Sequence, residues 1–402
     1  MKISDNIFSV TIFEVADKVF KVSIGVVTTF FVAAALGPEI YSSIAVGLAV
    51  MSIISMWINS AIRVPFFQNI DFALFSFILT FLFLASLIAM AIVIFRVSND
   101  LLIENVLLIF IVASFFKFHN ILRLDYEKNL KQKFFIVYEN LILFIFLIIK
   151  IILTIYYKDI KLIALAYLFE SICVTLFFLF ILKNKLKVDR SSIKKFIANS
   201  KEILNSNKFI IVGGFVAVSY MAIDTVILDA VASSQEIGNW GIAKRINQLV
   251  ITLLVVSSNV FIASYLNNKE SIFLSSSNLR FIATIFLIAI SLTLSWMLFG
   301  SHLTVFILGS DYYVSYEYLR ILCISWPAIA INAFIVQYIL VRNFQSVIFT
   351  TNVLLFLSVC FFTTEIYEIG GMNLVSIFMT SLMIISPFLL LSIFFTLKKI
   401  KT

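Results

Sequence analysis

Four ionisable side chains in the middle of the sequence lie in or beside apolar segments where charges are costly. Asp224 and Asp229 interrupt one apolar run, and Lys244 and Arg245 follow after a short polar turn. A charge at the centre of a membrane helix costs about 2.5–3.5 kcal/mol on insertion scales, so such groups usually face one another or a water-filled path. The two bases suit the binding of an anion, and a buried acid suits the transfer of a proton.

Arg245 is the first candidate for anion binding, because a guanidinium can donate to two phosphate oxygens at once. The alternative is an ion pair with Asp224 that only holds two helices together. Lys244 points about 100° away around the same helix, so it either shares the site or extends towards the membrane surface. Asp224 is the deeper acid and a candidate for ion coupling, whereas Asp229, nearer the turn, is expected to be solvated.

Further ionisable residues occur in other apolar runs. Glu139 and Glu170 are candidates for proton or cation coupling, and polar contacts between helices are the competing explanation. Lys150 shares a helix face with Glu139 but is too distant along the helix to contact it. Three more bases are candidates for anion binding: Arg63, Lys117 and Arg320. Arg63 is equally explained as an anchor at the cytoplasmic membrane surface.

Lys21 belongs to a stripe of charges near the N-terminus. Glu14, Asp17, Lys18 and Lys21 recur at spacings of three and four residues, which places them along one side of a helix. If the first span begins near residue 10, the stripe faces a polar interior and Lys21 is a further anion-binding candidate. If it begins near residue 20, the stripe is a solvated entry to the helix.

The composition identifies the environment of these residues. Hydrophobic residues make up 62% of the 402 residues and charged residues 13%, against roughly 45–50% and 25% in soluble domains. Apolar runs of about 20 residues recur, and each is long enough to cross a bilayer as a helix. The sequence predicts an all-α polytopic membrane protein. It contains no nucleotide-binding or metal-binding motif, so no cofactor is predicted; coupling to protons or sodium stays open.

Twelve spans are predicted, six on each side of a basic segment. This division gives an N-terminal six-helix lobe at 1–183, a cytoplasmic linker at 184–208 and a C-terminal six-helix lobe at 209–402. Lys and Arg concentrate in alternate loops, which places both termini in the cytoplasm of a multi-pass plasma-membrane protein. The net charge of +8 is therefore a topology signal and does not indicate nucleic acid binding. The predicted spans are 10–35, 41–63, 71–95, 102–123, 134–156, 160–182, 209–231, 239–265, 280–300, 316–340, 346–364 and 373–396.

Two short segments almost half a chain apart resemble each other. PEIYSSIA at Pro38–Ala45 matches QEIGNWGIA at Gln235–Ala243 with one residue inserted. Repeats of this kind suggest two related halves that meet around a polar interior, as in many transporters.

Three motifs carry a family resemblance that extends over essentially the whole chain. LGPEIYSSIAVGLAV (Leu36–Val50), AIDTVILDAVASSQEIGNWGIAKRI (Ala222–Ile246) and LFGSHLTVFILGSDYYVSYEYLRIL (Leu298–Leu322) resemble polysaccharide exporters of the MATE-like (MOP) superfamily. The O-antigen flippase branch, known as Wzx-type, is the most similar. The resemblance implies two pseudo-symmetric six-helix lobes around a central cavity. Trp240 departs from the family pattern and is expected at the outer membrane interface.

The resemblance implies a function that the charged residues fit. Such a flippase turns an undecaprenyl-diphosphate-linked oligosaccharide from the cytoplasmic to the periplasmic leaflet of the bacterial inner membrane by alternating access. It is a transporter and not an enzyme, and its partners include the bilayer and other polysaccharide assembly proteins such as a polymerase and a chain-length regulator. Two alternatives stay open: a cation-coupled multidrug exporter of the same superfamily, and an O-antigen polymerase, which the short outer loops disfavour.

Overall fold

The computed structural model describes residues 2–67, 101–118, 132–182, 219–267, 276–342 and 344–401, with isolated positions between 209 and 217. The predicted span at 71–95 and the predicted linker at 184–208 lie outside these residues. The described residues form helices joined by short turns: α1 (Lys2–Phe67), α2 (Leu101–Phe115), α3 (Gln132–Tyr156), α4 (Ile160–Leu182), α5 (Ser219–Leu228), α6 (Ser234–Asn267), α7 (Ser276–Leu308), α8 (Tyr313–Leu322), α9 (Trp326–Val341) and α10 (Gln345–Lys401).

Two of these helices are long because each contains a break at glycine. Gly37 in α1 has φ 77°, and Gly371 in α10 has φ 64° after a non-helical Gly370. Positive φ is accessible to glycine at little cost, so the chain can leave one helix and enter the next without a loop. Both breaks fall in predicted connections between spans. α1 and α10 therefore each correspond to two predicted spans.

The described residues include six helical segments that are long and apolar enough to cross a bilayer. The α3–α4 pair turns at Lys158, which has φ 50° and lies in the short connection between the two helices. The predicted tenth span divides into α8, a short 3₁₀ turn and α9. These segments make the protein a multi-pass membrane protein.

Backbone proximity divides the chain into two compact units. The first comprises Met1–Ile24 and Ser43–Val226, and the second comprises Gly25–Ser42 and Ile227–Thr402. The bend of α1 around Gly37 thus belongs to the unit that contains α6–α10. The predicted lobes of 1–183 and 209–402 stay a prediction.

In the first unit, α1, α2 and α4 pack through small and aromatic residues. A Cβ atom at Gly47 of α1 would overlap the ring of Phe110 in α2, so glycine permits the close approach of these helices. The Phe110 ring lies 5.3 Å from the Tyr167 ring of α4, measured between centroids. Thr175 of α4 donates a hydrogen bond to the carbonyl oxygen of Phe116.

In the second unit, buried amides connect α6 to its neighbours. The Oδ1 atom of Asn239 accepts hydrogen bonds from the backbone N–H and the hydroxyl of Ser315, at 3.1 and 2.7 Å. The Trp326 indole N–H donates to Asn247 Oδ1 at 2.7 Å. These bonds satisfy polar groups that a membrane helix could not otherwise bury without a large cost. They fix the rotation of α6 against α8 and α9.

Trp240 does not expose its indole to a membrane interface, contrary to the expectation from the sequence. Its side chain is completely buried. The indole packs edge-on against the Tyr318 ring, with 6.0 Å between centroids. Packing between α6 and α8 therefore outweighs the preference of an exposed indole for the interface.

Candidate functional site

Arg245 lies in the first half of α6 and against the backbone of α1. Its Nη2 atom would be 2.9 Å from a Cβ atom at Gly25, so the guanidinium occupies space that any other residue at that position would claim. Its Nη1 atom donates to the Gln248 side-chain oxygen at 3.2 Å. Gly25, Gln248 and Arg245 all belong to the second unit. The contact between Gly25 and Arg245 was not predicted from the sequence, because Gly25 lies in an apolar run without any local signal.

The described part of its own unit supplies no counter-charge to Arg245. No carboxylate in the described part of the second unit forms an ion pair with Arg245, whose hydrogen-bond partner Gln248 is neutral. The Nε atom of Arg245 is buried and has no hydrogen-bond partner among the described residues. A half-buried guanidinium with unused N–H donors is suited to bind an anion that has several oxygen atoms. The alternative pairing with Asp224, which belongs to the first unit, stays a prediction.

Lys244 makes different contacts from its neighbour. Its Nζ atom lies 5.4 Å from the centre of the Trp240 ring, at the distance of a cation–π interaction. The side chain is half-buried. Lys244 and Arg245 therefore point in different directions from α6, as their adjacent positions on a helix require.

In the first unit, Lys21 contacts two carboxylates. Its Nζ atom is 3.2 Å from Asp17 Oδ2 on the same helix and 2.7 Å from Glu139 Oε2 on α3. The side chains of Asp17 and Glu139 are 1% and 6% exposed, against 22% for Lys21. This part of the N-terminal charge stripe is therefore buried against α3.

A second buried ion pair joins α3 to α4. Lys150 Nζ lies 2.5 Å from Glu170 Oε2, and 3.5 Å from the centre of the Tyr167 ring. Only 3% of the Lys150 side chain is exposed. Glu139 and Lys150 have different partners, as expected from their separation along α3.

The other predicted site residues are placed apart from these clusters. Asp224 is completely buried in α5, and Arg320 is exposed in the last turn of α8. Lys117 is half-buried in the 3₁₀ turn that follows α2. The side chain of Arg63 lies outside the described residues. Across the part of the chain that the structure describes, no three metal-ligating side chains form a group.

The turn before α6 forms a hydrogen-bonded helix cap. The N–H of Glu236 donates to Ser233 Oγ at 3.3 Å, and the Glu236 carboxylate accepts from the Ser233 N–H and hydroxyl at 3.1 and 2.7 Å. Tyr367 of α10 donates to the same carboxylate at 2.9 Å. Burial alone would raise the pKa of Glu236, but the hydrogen bonds from Ser233 and Tyr367 outweigh it and hold the pKa below its ordinary value.

Comparison with solved structures identifies the fold of this chain. No family model matches the sequence, and no curated protein sequence matches it. Solved structures do match. A multidrug resistance MATE family transporter of the MOP superfamily, in an inward-facing conformation, superimposes with a TM-score of 0.70 at 14% identity, covering 95% of each chain.

The lipid II flippase MurJ, in an inward closed conformation, gives a TM-score of 0.75 at 15% identity, covering 97% of this chain and 87% of MurJ. The chain has the fold of the MATE and MurJ transporters. A MOP superfamily transporter from Pyrococcus furiosus, described as having a binding pocket of reverse polarity, matches with a TM-score of 0.57 at 13% identity, covering 98% and 96% of the two chains.

This fold confirms the predicted all-α polytopic membrane class, because the described residues form long apolar helices and the chain superimposes over most of its length on membrane transporters. The resemblance to polysaccharide exporters stays a prediction. Sequence identities of 13–15% support a shared fold but do not identify the molecule that is transported. The cargo has to be argued from the side chains of this chain.

Proposed function

We propose that the protein flips an undecaprenyl-diphosphate-linked oligosaccharide from the cytoplasmic to the periplasmic leaflet of a bacterial inner membrane. The mechanism is alternating access of a polar cavity between two lobes, with both termini in the cytoplasm. The diphosphate and sugars cross inside the cavity while the polyprenyl chain stays in lipid. No covalent bond is made or broken, so the protein is a transporter and not an enzyme. The MATE and MurJ fold supports transport.

The observation that carries this proposal is the uncompensated guanidinium of Arg245. Three acids of the first unit, Asp17, Glu139 and Glu170, form ion pairs with lysines. Arg245 contacts no acid of its own unit and keeps a buried Nε without a hydrogen bond among the described residues. This distribution favours an anionic cargo over a cationic one, because these three acids have basic partners, whereas no acid in the described part of its own unit forms an ion pair with Arg245.

The remaining predicted residues enter the proposal as assisting groups. Lys244, Lys21, Arg63, Arg320 and Lys117 are proposed to contact the diphosphate in turn, since scattered bases bind loosely enough to release it. Asp224, Glu139 and Glu170 are proposed as groups for proton or sodium coupling. The membrane potential, negative inside, would also favour outward movement of an anion by about 2.3 kcal/mol per charge per 100 mV.

Complementation tests this function directly. A strain without its own O-antigen flippase would receive the wild type, Arg245→Ala, Arg245→Lys or the control Arg280→Ala, which changes an exposed arginine of α7. The wild type and the control are expected to restore surface polysaccharide, and Arg245→Ala to reduce it at least tenfold at equal membrane levels. Arg245→Lys should restore surface polysaccharide partly, because lysine keeps the positive charge but lacks the paired N–H donors of the guanidinium.

A binding measurement separates failure of the function from a mismatch of sugars in the host. Purified protein would be titrated with undecaprenyl diphosphate, which carries the anion without any sugar. Binding by the wild type and the control but not by Arg245→Ala is expected. Equal binding by all variants would overturn the role of Arg245.

One observation favours a second candidate, a cation-coupled multidrug exporter. Asp17 and Glu139 are buried acids in a fold shared with a multidrug resistance MATE transporter. This function requires that cells expressing the wild type export cationic dyes such as ethidium, and that Asp17→Asn or Glu139→Gln abolish export. Dye export without complementation by any repeat unit would replace the flippase proposal.

A further inference from the structure

Gln248 lies three residues after Arg245 on α6 and presents a carboxamide beside the guanidinium. Arg245 Nη1 donates to Gln248 Oε1 at 3.2 Å. Because a guanidinium has no acceptor atom, the carboxamide oxygen has to face it, and the Nε2 amino group is directed away from it. This amino group has no hydrogen-bond partner among the described residues. Gln248 therefore offers N–H donors close to the unpaired Nε atom of Arg245.

Thr252 extends this arrangement along α6. Steps of three and then four residues keep Arg245, Gln248 and Thr252 on one side of the helix, in a stripe about 10 Å long. The Thr252 hydroxyl donates to the carbonyl oxygen of Gln248 at 2.7 Å, so the hydroxyl oxygen keeps lone pairs that can accept a hydrogen bond. We call these three side chains the α6 polar stripe. It combines a cation, N–H donors and a hydroxyl acceptor.

The exposure of the α6 polar stripe indicates that it faces a polar medium. Gln248 is exposed, and Arg245 and Thr252 are half-buried. Amide and guanidinium groups are too costly to leave against lipid tails, so on membrane helices they face water or the interior of the bundle. Leu253 and Val255 are also exposed on α6, and both are apolar. The polar surface is therefore confined to the stripe.

The chemistry of the stripe divides into a charged part and a neutral part. The guanidinium of Arg245 can donate to two phosphate oxygens at once. Gln248 and Thr252 carry no charge, and together they can donate and accept hydrogen bonds. A sugar hydroxyl is a donor and an acceptor in the same way, so the neutral part suits a sugar that is joined to the phosphate.

We infer that the α6 polar stripe binds a glycosyl diphosphate, in which Arg245 holds phosphate oxygens and Gln248 and Thr252 hold hydroxyl groups of the first sugar. The Gln248 amino group donates to one sugar hydroxyl, and another sugar hydroxyl donates to the Thr252 oxygen. This inference rests on the proposed flippase function and adds to it the selection of a glycosylated lipid over a bare one. A lipid diphosphate without a sugar gains only the contacts of Arg245.

The test compares two dissociation constants of the purified protein, one for undecaprenyl diphosphate and one for the same lipid carrying a single glucose, galactose or N-acetylglucosamine. The wild type is expected to bind at least one glycosylated lipid about tenfold more tightly than the bare lipid, because of the additional hydrogen bonds. Gln248→Met, which removes the carboxamide at similar length, should reduce this preference to about twofold. Thr252→Val, which removes the hydroxyl at similar volume, should reduce it to about threefold.

Two matched controls make the same chemical changes outside the stripe. Gln235→Met changes an exposed glutamine in the first turn of α6. Thr284→Val changes an exposed threonine of α7 whose hydroxyl donates to the carbonyl oxygen four residues earlier at 2.8 Å, as the hydroxyl of Thr252 does. Both controls should keep the preference of the wild type. The Tm of every sample is measured alongside, and Thr252→Val tests the stripe independently if Gln248→Met loses stability.

The outcomes separate failure of this inference from failure of the proposed function. Equal binding of the bare lipid and all three glycosylated lipids by the wild type would overturn the inference. So would a preference that Gln248→Met and Thr252→Val retain, or one that the two controls lose to the same extent. In each of these cases, weaker binding of the bare lipid by Arg245→Ala would still support the proposed function. Binding of none of the lipids by the wild type would overturn both.

Discussion

At the scale of single residues, Gly25 determines where the Arg245 guanidinium can lie. We predict that Gly25→Ala displaces the guanidinium, because the new Cβ would be 2.9 Å from Nη2. The obstructed atom is the end of a flexible side chain, so folding should be retained. The affinity for undecaprenyl diphosphate should fall about tenfold, which corresponds to ~1.4 kcal/mol. Titration and Tm of the same samples measure both effects.

The control for Gly25→Ala is Ser23→Ala, at an exposed position two residues away on α1. It should change neither the affinity nor the Tm. Unchanged affinity in Gly25→Ala would mean that the position of the guanidinium against α1 is not the one that binds the anion.

Also at the residue scale, Glu170 and Lys150 illustrate the cost of separating buried charges. We predict that Glu170→Gln lowers the free energy of unfolding by about 3–5 kcal/mol, because a buried ammonium loses its counter-charge. The double variant Lys150→Met/Glu170→Leu should recover most of this loss, since no charge remains buried. Reversible unfolding in mixed detergent measures both. A double variant less stable than Glu170→Gln would contradict this explanation.

At the scale of helices, the two similar sequence segments lie against each other in the second unit. A Cβ atom at Gly238 would overlap the carbonyl oxygen of Pro38. Tyr312 adds a contact with the same bend of α1, donating from its hydroxyl to the Ala33 carbonyl oxygen at 2.9 Å. Each segment therefore supplies a surface for the other, which is a reason for both to keep small residues at the contact.

We predict that Gly238→Ala destabilises the protein by about 1–3 kcal/mol, the usual cost of overpacking. The obstructing atom belongs to the backbone and cannot rotate away, in contrast to Gly25→Ala, where only a side chain has to move. We expect Gly238→Ala to have a lower Tm than Gly25→Ala, and measuring the Tm of both variants tests this. An equal Tm in both would show that α1 and α6 can separate at this point without cost.

The cap of α6 gives a prediction for pH. Because the pKa of Glu236 is below its ordinary value, its ionised form stabilises the folded protein. The stabilisation is present above the ordinary pKa and is lost as the pH falls through the lowered one. We therefore expect the Tm of the wild type to exceed that of Glu236→Gln at pH 7, and the difference to shrink as the pH approaches 4.

Comparison of these two proteins isolates Glu236, because the contributions of the other titratable groups are common to both. Glu368→Gln, an exposed position beside Tyr367, is the control and should leave the pH profile unchanged. A difference between wild type and Glu236→Gln that persists at acidic pH would assign the effect to packing instead of charge.

At the scale of the whole molecule, the distribution of Lys and Arg predicts that the α3–α4 turn faces the periplasm and the C-terminus the cytoplasm. In a variant with Cys173, Cys323 and Cys360 replaced by alanine, Lys158→Cys should react with an impermeant maleimide in intact spheroplasts. Lys401→Cys should react only after the membrane is opened. The reverse pattern would invert the topology and the direction of transport.

The sequence by itself determined the membrane class, the positions of the span connections in which Gly37 and Gly370–Gly371 break the helices, and the ionisable candidates for the site. These follow from local properties: the length of apolar runs, the freedom of glycine and the cost of a charge in lipid. Only the tertiary structure decided which charges meet. Lys21 joins Asp17 to Glu139 across two helices, Lys150 selects Glu170, and Trp240 is buried against Tyr318. Such partners depend on how distant helices rotate and pack against each other, and helical spacing within one segment cannot specify that.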